Sequence, residues 1–194
     1  PELKFKDIVI LLRTNSGWDD VFKKALEEQG IPSYIESKSG YFDAWEVSVM
    51  LNILSVIDNP TVDIPLVAVM HSPIGGFTDE ELALIKTTIN KNKEDDAASS
   101  LYEEILKLVR RKGEDTGSIQ NQSLLNKLSD FVSLIEELRD MSAYTPVHEL
   151  LQYIIDVTGF ELIVSAMPAG NQRRANIELL LSKAESFVKT SFKG

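Results

Sequence analysis

Repeated helix-start signals constrain the fold of this chain more than any other feature of its sequence. A capping box is a Ser, Thr or Asp followed three residues later by a Glu, and it marks the start of a helix. Three segments have this pattern: Asp43–Glu46, Thr78–Glu81 and Ser100–Glu103. Apolar residues with helical spacing follow each of them. From residue 43 onward, the sequence therefore predicts a mostly α protein.

Proline and glycine set the limits of several predicted helices. Proline lacks a backbone N–H group, and glycine accepts the left-handed conformation that often ends a helix. The longest amphipathic pattern runs from Ser123 to Met141. We predict helices over 43–57, 63–70, 78–90, 100–112, 123–141, 145–157, 160–167 and 171–189, with a solvated loop over 91–98.

The first 42 residues have a different pattern. The continuous apolar run Ile8–Leu12 is typical of a strand buried on both faces of a parallel sheet. The amphipathic segment Trp18–Gln29 follows and ends at a glycine, before the extended stretch Ile31–Ile35. We therefore predict a β-α-β unit over 1–42, which needs further strands beside it, and a helical domain over 43–194.

Composition argues against several classes of function. The chain has 30 acidic and 20 basic residues, a formal net charge of −10, which argues against a broad basic surface for nucleic acid. It has no cysteine, which fits a cytoplasmic protein. No apolar run approaches the roughly 20 residues of a membrane span. Because the chain starts without Met and stops directly after a helical pattern, we expect it to be a piece of a longer polypeptide.

Motifs for catalysis are missing from the sequence. Gly75 and Gly76 are followed by Phe77 rather than by the lysine of a phosphate loop, so we expect no ATP hydrolysis by this segment alone. His71 and His148 lie far apart and in no metal-binding spacing. We therefore predict no catalytic, cofactor-binding or metal-binding residue in this segment.

Several blocks of residues, in their order and spacing, resemble superfamily 1 DNA helicases of the UvrD/Rep type. These blocks are Asp7–Asn15, Gly30–Pro32, Gly40–Phe42 with Glu46, and Ile57–Pro60. Two further blocks, Asp63–Leu82 and Ala166–Ile177, resemble the AddA family of helicase–nuclease subunits within that superfamily. The resemblance covers most of the chain and leaves about 90–165 as helix with little diagnostic sequence.

The resemblance implies an architecture and a setting. Residues 1–42 would be a small β-α-β remnant of a RecA-like motor domain (2A), and 43–194 a helical 2B-type accessory subdomain. The longer protein would be an ATP-dependent DNA helicase and exonuclease that acts in double-strand-break repair and recombination. It would bind ATP and Mg²⁺ outside this segment, act on duplex or forked DNA, and work with an AddB-like partner subunit. No membrane partner is implied.

The resemblance also points to candidate DNA contacts. Arg13 directly follows the predicted strand, at the end of a parallel sheet where ligands bind, and the matching arginine of the family lies near the single strand. Thr14 and Asn15 would add backbone or hydroxyl contacts. The alternative for Arg13 is an ion pair with a nearby carboxylate.

A second candidate contact comprises Gly75, Gly76 and Thr78. A glycine loop at this position contacts the duplex backbone in the family, since glycine lets the main chain approach a phosphate and a helix N-terminus presents N–H groups. The order here is Ile-Gly-Gly-Phe rather than Gly-Ile-Gly, and Asp79–Glu81 places three carboxylates nearby. These departures favour a plain tight turn before a capped helix.

Arg173 and Arg174 are the last candidates, because residues 170–194 carry five basic and two acidic residues. We favour structural ion pairs for both arginines, and core packing over base stacking for the aromatic residues Trp18, Tyr41, Phe42 and Trp45. Two hypotheses for the segment remain. It is either a non-catalytic subdomain that guides DNA or regulates the motor, or a docking module for a partner subunit without direct DNA contact.

Overall fold

The computed structural model describes residues 4–12, 18–33, 41–92, 99–110 and 122–190. The chain divides into two compact units, Pro1–Gly40 and Tyr41–Gly194. The sequence-based boundary lies two residues further along, between 42 and 43.

Helix α1, Asp19–Glu28, is the main element of the described part of the first unit. It ends where the sequence predicts. Gly30 has a φ of +70°, and its N–H donates to the carbonyl oxygen of Glu27 at 2.9 Å. The N–H of Ile31 donates to the oxygen of Leu26 at 2.9 Å. These bonds satisfy carbonyl groups that would otherwise lack a partner at the end of the helix.

The two strands predicted on either side of α1 are not formed among the described residues. Residues 8–12 and 31–33 have no strand assignment, and 34 and 35 lie outside the described residues. Val9 and Leu11 are 75% and 90% exposed, although their apolar run predicts a buried strand. A strand exists only where a neighbour accepts and donates its backbone hydrogen bonds. Of the predicted β-α-β unit, the described residues show only the helix.

The described part of the second unit is helical, as the sequence predicts. The predicted helices from residue 43 onward are present, and their described ends lie within two residues of the prediction. The predicted loop over 91–98 is wrong at its first two residues, which still belong to a helix, and its remainder lies outside the described part. The helices are α2 (Trp45–Asp58), α3 (Asp63–His71), α4 (Asp79–Asn92), α5 (Leu101–Arg110), α6 (Gln122–Ser142), α7 (Val147–Thr158), α8 (Phe160–Ser165) and α9 (Gly170–Thr190).

Helix α2 lies at the centre of this unit and packs against α3, α6 and α9. Its buried residues join one apolar cluster with side chains from the other helices. The largest fully enclosed side chains include Met50, Ile53, Leu128, Ile135 and Phe160. Burying a side chain of this size contributes about 1.5–3 kcal/mol, so this cluster holds the helices together.

Two of the three predicted capping boxes are confirmed. The Thr78 N–H donates to Glu81 Oε2 at 3.0 Å, and the Glu81 N–H donates to Thr78 Oγ1 at 3.2 Å. Ser100 and Glu103 make the same reciprocal pair at 3.0 and 3.3 Å. The box predicted at Asp43–Glu46 is wrong, since α2 begins after Ala44 without a side-chain cap.

Candidate nucleic-acid interface

The glycine turn, residues 72–78, connects α3 to α4. Its backbone folds back onto the end of α3. The N–H groups of Gly75, Gly76 and Phe77 donate to the carbonyl oxygens of Val69, Ser72 and Met70 at 3.3, 2.7 and 2.9 Å, in that order. The Ile74 N–H donates to Ser72 Oγ at 3.2 Å. The backbone donors of the glycine turn are therefore already used within the protein.

Two separate constraints explain the two glycines. A Cβ atom on Gly75 would lie 2.4 Å from the carbonyl oxygen and 2.6 Å from the Cα of Met70, so any side chain there clashes with main chain. Gly76 has open space around it but a φ of +66°, a conformation that L side chains rarely adopt. The glycines thus serve the tight turn that the sequence favours.

Lys127 of α6 holds the glycine turn from the side. Its Nζ donates to the Gly76 carbonyl oxygen and to Glu81 Oε2, both at 2.6 Å, and lies 4.7 Å from the centre of the Phe77 ring. The hydrogen bonds that Glu81 accepts from Lys127 and from the Thr78 backbone lower the pKa of its carboxyl group. Glu81 therefore stays ionised and is paired within the protein.

The other two carboxylates at the start of α4 are exposed. Asp79 Oδ1 lies 3.1 Å from Nε2 of His71, across the glycine turn. Hydrogen bonds from the backbone and from Thr78 lower the pKa of Glu80. Two acidic side chains therefore face solvent beside a turn whose amides are occupied, which disfavours a phosphate at this position.

Grooves open on both sides of the glycine turn. One, of about 600 Å³, lies between α2 and α3 and is lined by Trp45, Val49, Ala68, Pro73 and Phe77, with Ser48, Asn52, His71, Ser72 and Gly76. The other, of about 380 Å³, lies between the turn and α6 and is lined by Ile74, Gly75, Ser123, Asn126, Lys127, Asp130, Phe131 and Leu134. Both grooves are open to solvent, and each combines apolar with polar side chains.

Arg173 joins the start of α9 to the start of α2. Its Nη1 donates to Oε2 of Glu46 at 2.6 Å, and its Nε donates to the carbonyl oxygen of Pro168 at 3.0 Å. Its guanidinium carbon lies 5.6 Å from the centre of the Trp45 ring. Asn176 Nδ2 donates to the other oxygen of Glu46 at 2.6 Å. Because Glu46 is only 3% exposed, Arg173 serves as the partner of a buried carboxylate.

Tyr41 adds a further link to the same helix. Its hydroxyl donates to the carbonyl oxygen of Asn176 at 2.7 Å, and Lys183 Nζ lies 5.5 Å from the centre of its ring. Burial, with a smaller contribution from nearby Glu46, raises the pKa of Tyr41 to about 12. Together these contacts fasten α9 to the first residues of the unit.

Arg174, the next residue of α9, has an exposed side chain. Its Nε lies 2.8 Å from Glu161 Oε1 and 3.1 Å from Glu178 Oε1, and its side chain is 58% exposed. Exposed pairs of this kind contribute about 0–1 kcal/mol, so the guanidinium can exchange its partners at little cost. Among the described candidate residues, Arg174 is therefore the cation best placed to meet a phosphate.

The other predicted residues are placed as follows. Thr78 is exposed, but its hydroxyl and its N–H belong to the capping box. Arg13, Thr14 and Asn15 lie outside the described residues. Core packing is wrong for Trp18, Phe42 and Trp45, which are 58%, 55% and 41% exposed.

Sequence reasoning missed Lys127 and Asn176, as well as the role of Glu46. Lys127 contacts Gly76, 51 residues earlier in the chain, and Arg173 contacts Glu46 across 127 residues. No local pattern marks either pair. Glu46 offers one signal in the sequence: it is an acidic residue at a predicted helix start, and an apolar stretch follows it.

Within the described ranges, no group of three or more His, Cys, Asp or Glu side chains could hold a metal ion. The same ranges contain no helix long and apolar enough to cross a membrane.

Comparison with known proteins gives the class first. Residues 1–94 match the UvrD-like helicase C-terminal domain. Together with the relatives below, this match confirms the resemblance to UvrD-like helicases that is seen in the sequence.

Individual relatives of the chain are more specific than the family match. Over 191 residues, 98% of its length, the chain is 42% identical to the A subunit of the ATP-dependent helicase/nuclease of Clostridium acetobutylicum. It is 38% identical over 98% of its length to the protein of that name from a Thermoanaerobacter species, and 39% identical over 99% to that of Acetivibrio thermocellus. The chain spans 14% of the length of each of these relatives.

Proposed function

We propose that this chain is a non-catalytic accessory segment of an ATP-dependent DNA helicase and exonuclease subunit that acts in double-strand-break repair and recombination in the cytoplasm. The observation that carries the proposal is the similarity of nearly the whole chain, at about 40% identity, to the A subunits of ATP-dependent helicase/nucleases. In this proposal ATP and Mg²⁺ bind elsewhere in the longer protein, which explains why the segment contains no phosphate loop.

In the same proposal, the first unit is part of a RecA-like motor domain and the second is a 2B-type subdomain. Exposed Val9 and Leu11 support the first assignment, because such an apolar run becomes stable when further strands pair with it and cover both of its faces. The helical fold of the second unit, without motifs for catalysis, supports an accessory role.

The DNA contacts in this proposal are local. Arg13 with Thr14 and Asn15, and Arg174 on the exposed side of α9, are the proposed contacts. Arg173 is excluded from this set because removing it from Glu46 would leave a buried carboxylate without its cation.

A second candidate role is docking on an AddB-like partner subunit, without direct DNA contact. Two observations favour it for the second unit. The amides of the glycine turn donate within the protein, and Lys127 and Arg173 are paired with carboxylates. The described part of the second unit, 41–92, 99–110 and 122–190, has ten basic and eighteen acidic residues, a net charge of −8.

Forked-DNA binding by the longer protein, measured over a series of salt concentrations, tests the DNA role. Arg13→Ala and Arg174→Ala should each weaken binding and reduce the salt slope by about 1 if each side chain meets a phosphate. Unchanged affinity and slope for both variants would refute direct DNA contact and leave docking.

The glycine turn needs a different pair of variants. A substitution at Gly75 would clash with α3 whatever its charge, so a loss of binding there would be ambiguous. Gly76→Asp and Gly76→Asn both accept the left-handed conformation and differ mainly in charge. If the turn meets a phosphate, the Asp variant binds forked DNA more weakly than the Asn variant. Equal binding would exclude the turn from the interface.

The helicase assignment has its own test. The longer polypeptide must contain a phosphate loop, and a variant of the loop lysine must abolish ATP-dependent unwinding. Absence of that motif would refute the assignment, whatever the DNA-binding results are.

A further inference from the structure

The groove between the glycine turn and α6 is not explained by any role proposed above. Ile74, Phe131 and Leu134 form its apolar floor, and their side chains are partly or fully buried. Asn126 and Asp130 stand exposed at its edge. With a volume of about 380 Å³, it accommodates one or two large apolar side chains from outside.

Carboxylates line the outward face of α6 beside this groove. Asp130, Glu137 and Asp140 are exposed, and their spacings of seven and three residues place them on one side of the helix. Ten residues of helix span about 15 Å, so the row extends beyond the groove along α6. Glu137 also accepts a hydrogen bond from the Tyr153 hydroxyl, which fixes its position against α7.

The basic residues of α6 do not neutralise this row. Lys127 is bound to Gly76 and Glu81, and Arg139 has its Nη1 atom buried. The described part of the second unit is itself negative, at −8. The groove therefore combines an apolar floor with a negative edge, which attracts a cation and repels both a phosphate backbone and a second copy of this acidic chain.

We propose that this groove docks a basic amphipathic helix of a partner protein. Apolar side chains of that helix fill the floor, while its lysines or arginines lie against Asp130, Glu137 and Asp140. Residues seven apart in the partner helix are about 10.5 Å apart, which matches the separation of Asp130 and Glu137 along α6. Apolar anchors with flanking charge complementarity are the usual basis of helix-in-groove binding. The proposal rests on the docking role proposed above and adds its surface and the chemistry of its partner.

Two labelled synthetic helical peptides test this proposal with the full chain. Both have the same leucine stripe, and one has lysine and the other glutamate on its polar face. Fluorescence anisotropy should detect binding of the lysine peptide alone, and about 0.5 M salt should weaken it. Asp130→Lys/Asp140→Lys should weaken binding about tenfold, and Asn126→Trp, which fills the groove from an exposed position, should weaken it as well.

A matched control separates the groove from general attraction by an acidic protein. Asp58→Lys/Glu178→Lys makes the same change in net charge on exposed residues that do not line the groove, and it should change binding by less than about twofold. Circular dichroism checks that each variant keeps its helix content.

Several results would overturn the proposal. The first is a control variant that weakens peptide binding as much as Asp130→Lys/Asp140→Lys does. The second is Asn126→Trp leaving peptide binding unchanged. The third is a glutamate peptide that binds as tightly as the lysine peptide. Self-association of the chain that Asn126→Trp abolishes would show that a second copy occupies the groove instead. The peptide assay involves no DNA, so its failure leaves the helicase assignment standing, and failure of the helicase tests leaves peptide binding unaffected.

Discussion

Replacing Arg173 with methionine should destabilise the chain strongly, because it removes the cation from the buried carboxylate of Glu46. Methionine keeps much of the packing volume of the arginine stem beside Trp45 and removes the charge. Glu46 would keep the bond from Asn176 at 2.6 Å and lose the 2.6 Å bond from Arg173 Nη1.

The expected loss follows from the burial of the two partners. Breaking a buried ion pair by removing one partner costs about 3–5 kcal/mol. Glu46 is 3% exposed but the Arg173 side chain is 28% exposed, so water partly compensates and we expect the lower limit, about 3 kcal/mol. A loss of this size lowers the folding equilibrium constant more than a hundredfold and lowers the midpoint of thermal unfolding by about 6–12 °C.

Urea denaturation followed by circular dichroism measures this loss of stability. The comparison is valid if the free energy of unfolding falls with urea concentration at the same slope in the variant and the native chain. Arg174→Met is the matched control. It removes the neighbouring arginine from the exposed carboxylates of Glu161 and Glu178 and should cost less than about 1 kcal/mol. The double variant Glu46→Met/Arg173→Met should recover part of the loss, since a buried pair replaced by apolar residues is often nearly neutral. If the two single arginine variants are equally stable, the buried pair does not hold α9 to α2 and the reasoning fails.

Three further predictions concern the glycine turn and two titrating groups. Gly75→Ala should lower the free energy of unfolding by about 2–3 kcal/mol, because its Cβ would lie 2.4 Å from a main-chain oxygen of α3. Gly76→Ala should cost only about 1–2 kcal/mol, from the positive φ alone, and a reversed order in urea denaturation would contradict the packing of the turn. The pKa of Tyr41 is about 12 in the folded chain and about 10 when unfolded, so its contribution is complete below pH 10 and is lost as pH rises toward 12. In an alkaline denaturation series, Tyr41→Phe should therefore lose less stability than the native chain over that interval, and parallel curves would count against a buried hydroxyl. The pKa of Glu81 is lowered chiefly by the hydrogen bond from Lys127, so its contribution is complete above about pH 4.3 and is lost as pH falls through the lowered value. The difference in stability between the native chain and Glu81→Gln should shrink on acidification, and a constant difference down to about pH 3 would refute it.

Local sequence signals were sufficient to predict most of the helices. Thr78 and Glu81 lie three residues apart, and so do Ser100 and Glu103, so the chemistry that starts α4 and α5 is contained within single turns of helix. The amphipathic spacing in α6 likewise identifies its buried face from the sequence alone.

The first predicted capping box shows where local reasoning stops. Glu46 stands in the correct position to cap α2, but Arg173 and Asn176 offer it stronger partners, 127 and 130 residues away. A charge-assisted bond inside a buried site outweighs an exposed cap, and only the packed structure brings the partners together. The same holds for Lys127, whose contact with Gly76 spans 51 residues.

The predicted strand shows a different limit. The apolar run Ile8–Leu12 specifies a preference for a buried extended conformation, but a strand also requires neighbours that pair with it. The described residues contain no such neighbour. The sequence pattern therefore predicts that this segment needs a pairing strand, but it does not predict whether the described residues provide one.

By itself, the amino-acid sequence determined the helical class of the second unit, the described limits of its helices to within two residues, and its resemblance to UvrD-like helicases. Those properties depend on residues within a few positions of one another or on the order of short motifs. Only the tertiary structure decided that the amides of the glycine turn are occupied, that Arg173 serves a buried carboxylate and that an apolar groove lies beside an acidic helix face. These properties depend on contacts between residues far apart in the chain, which form only when the core packs and removes polar groups from water.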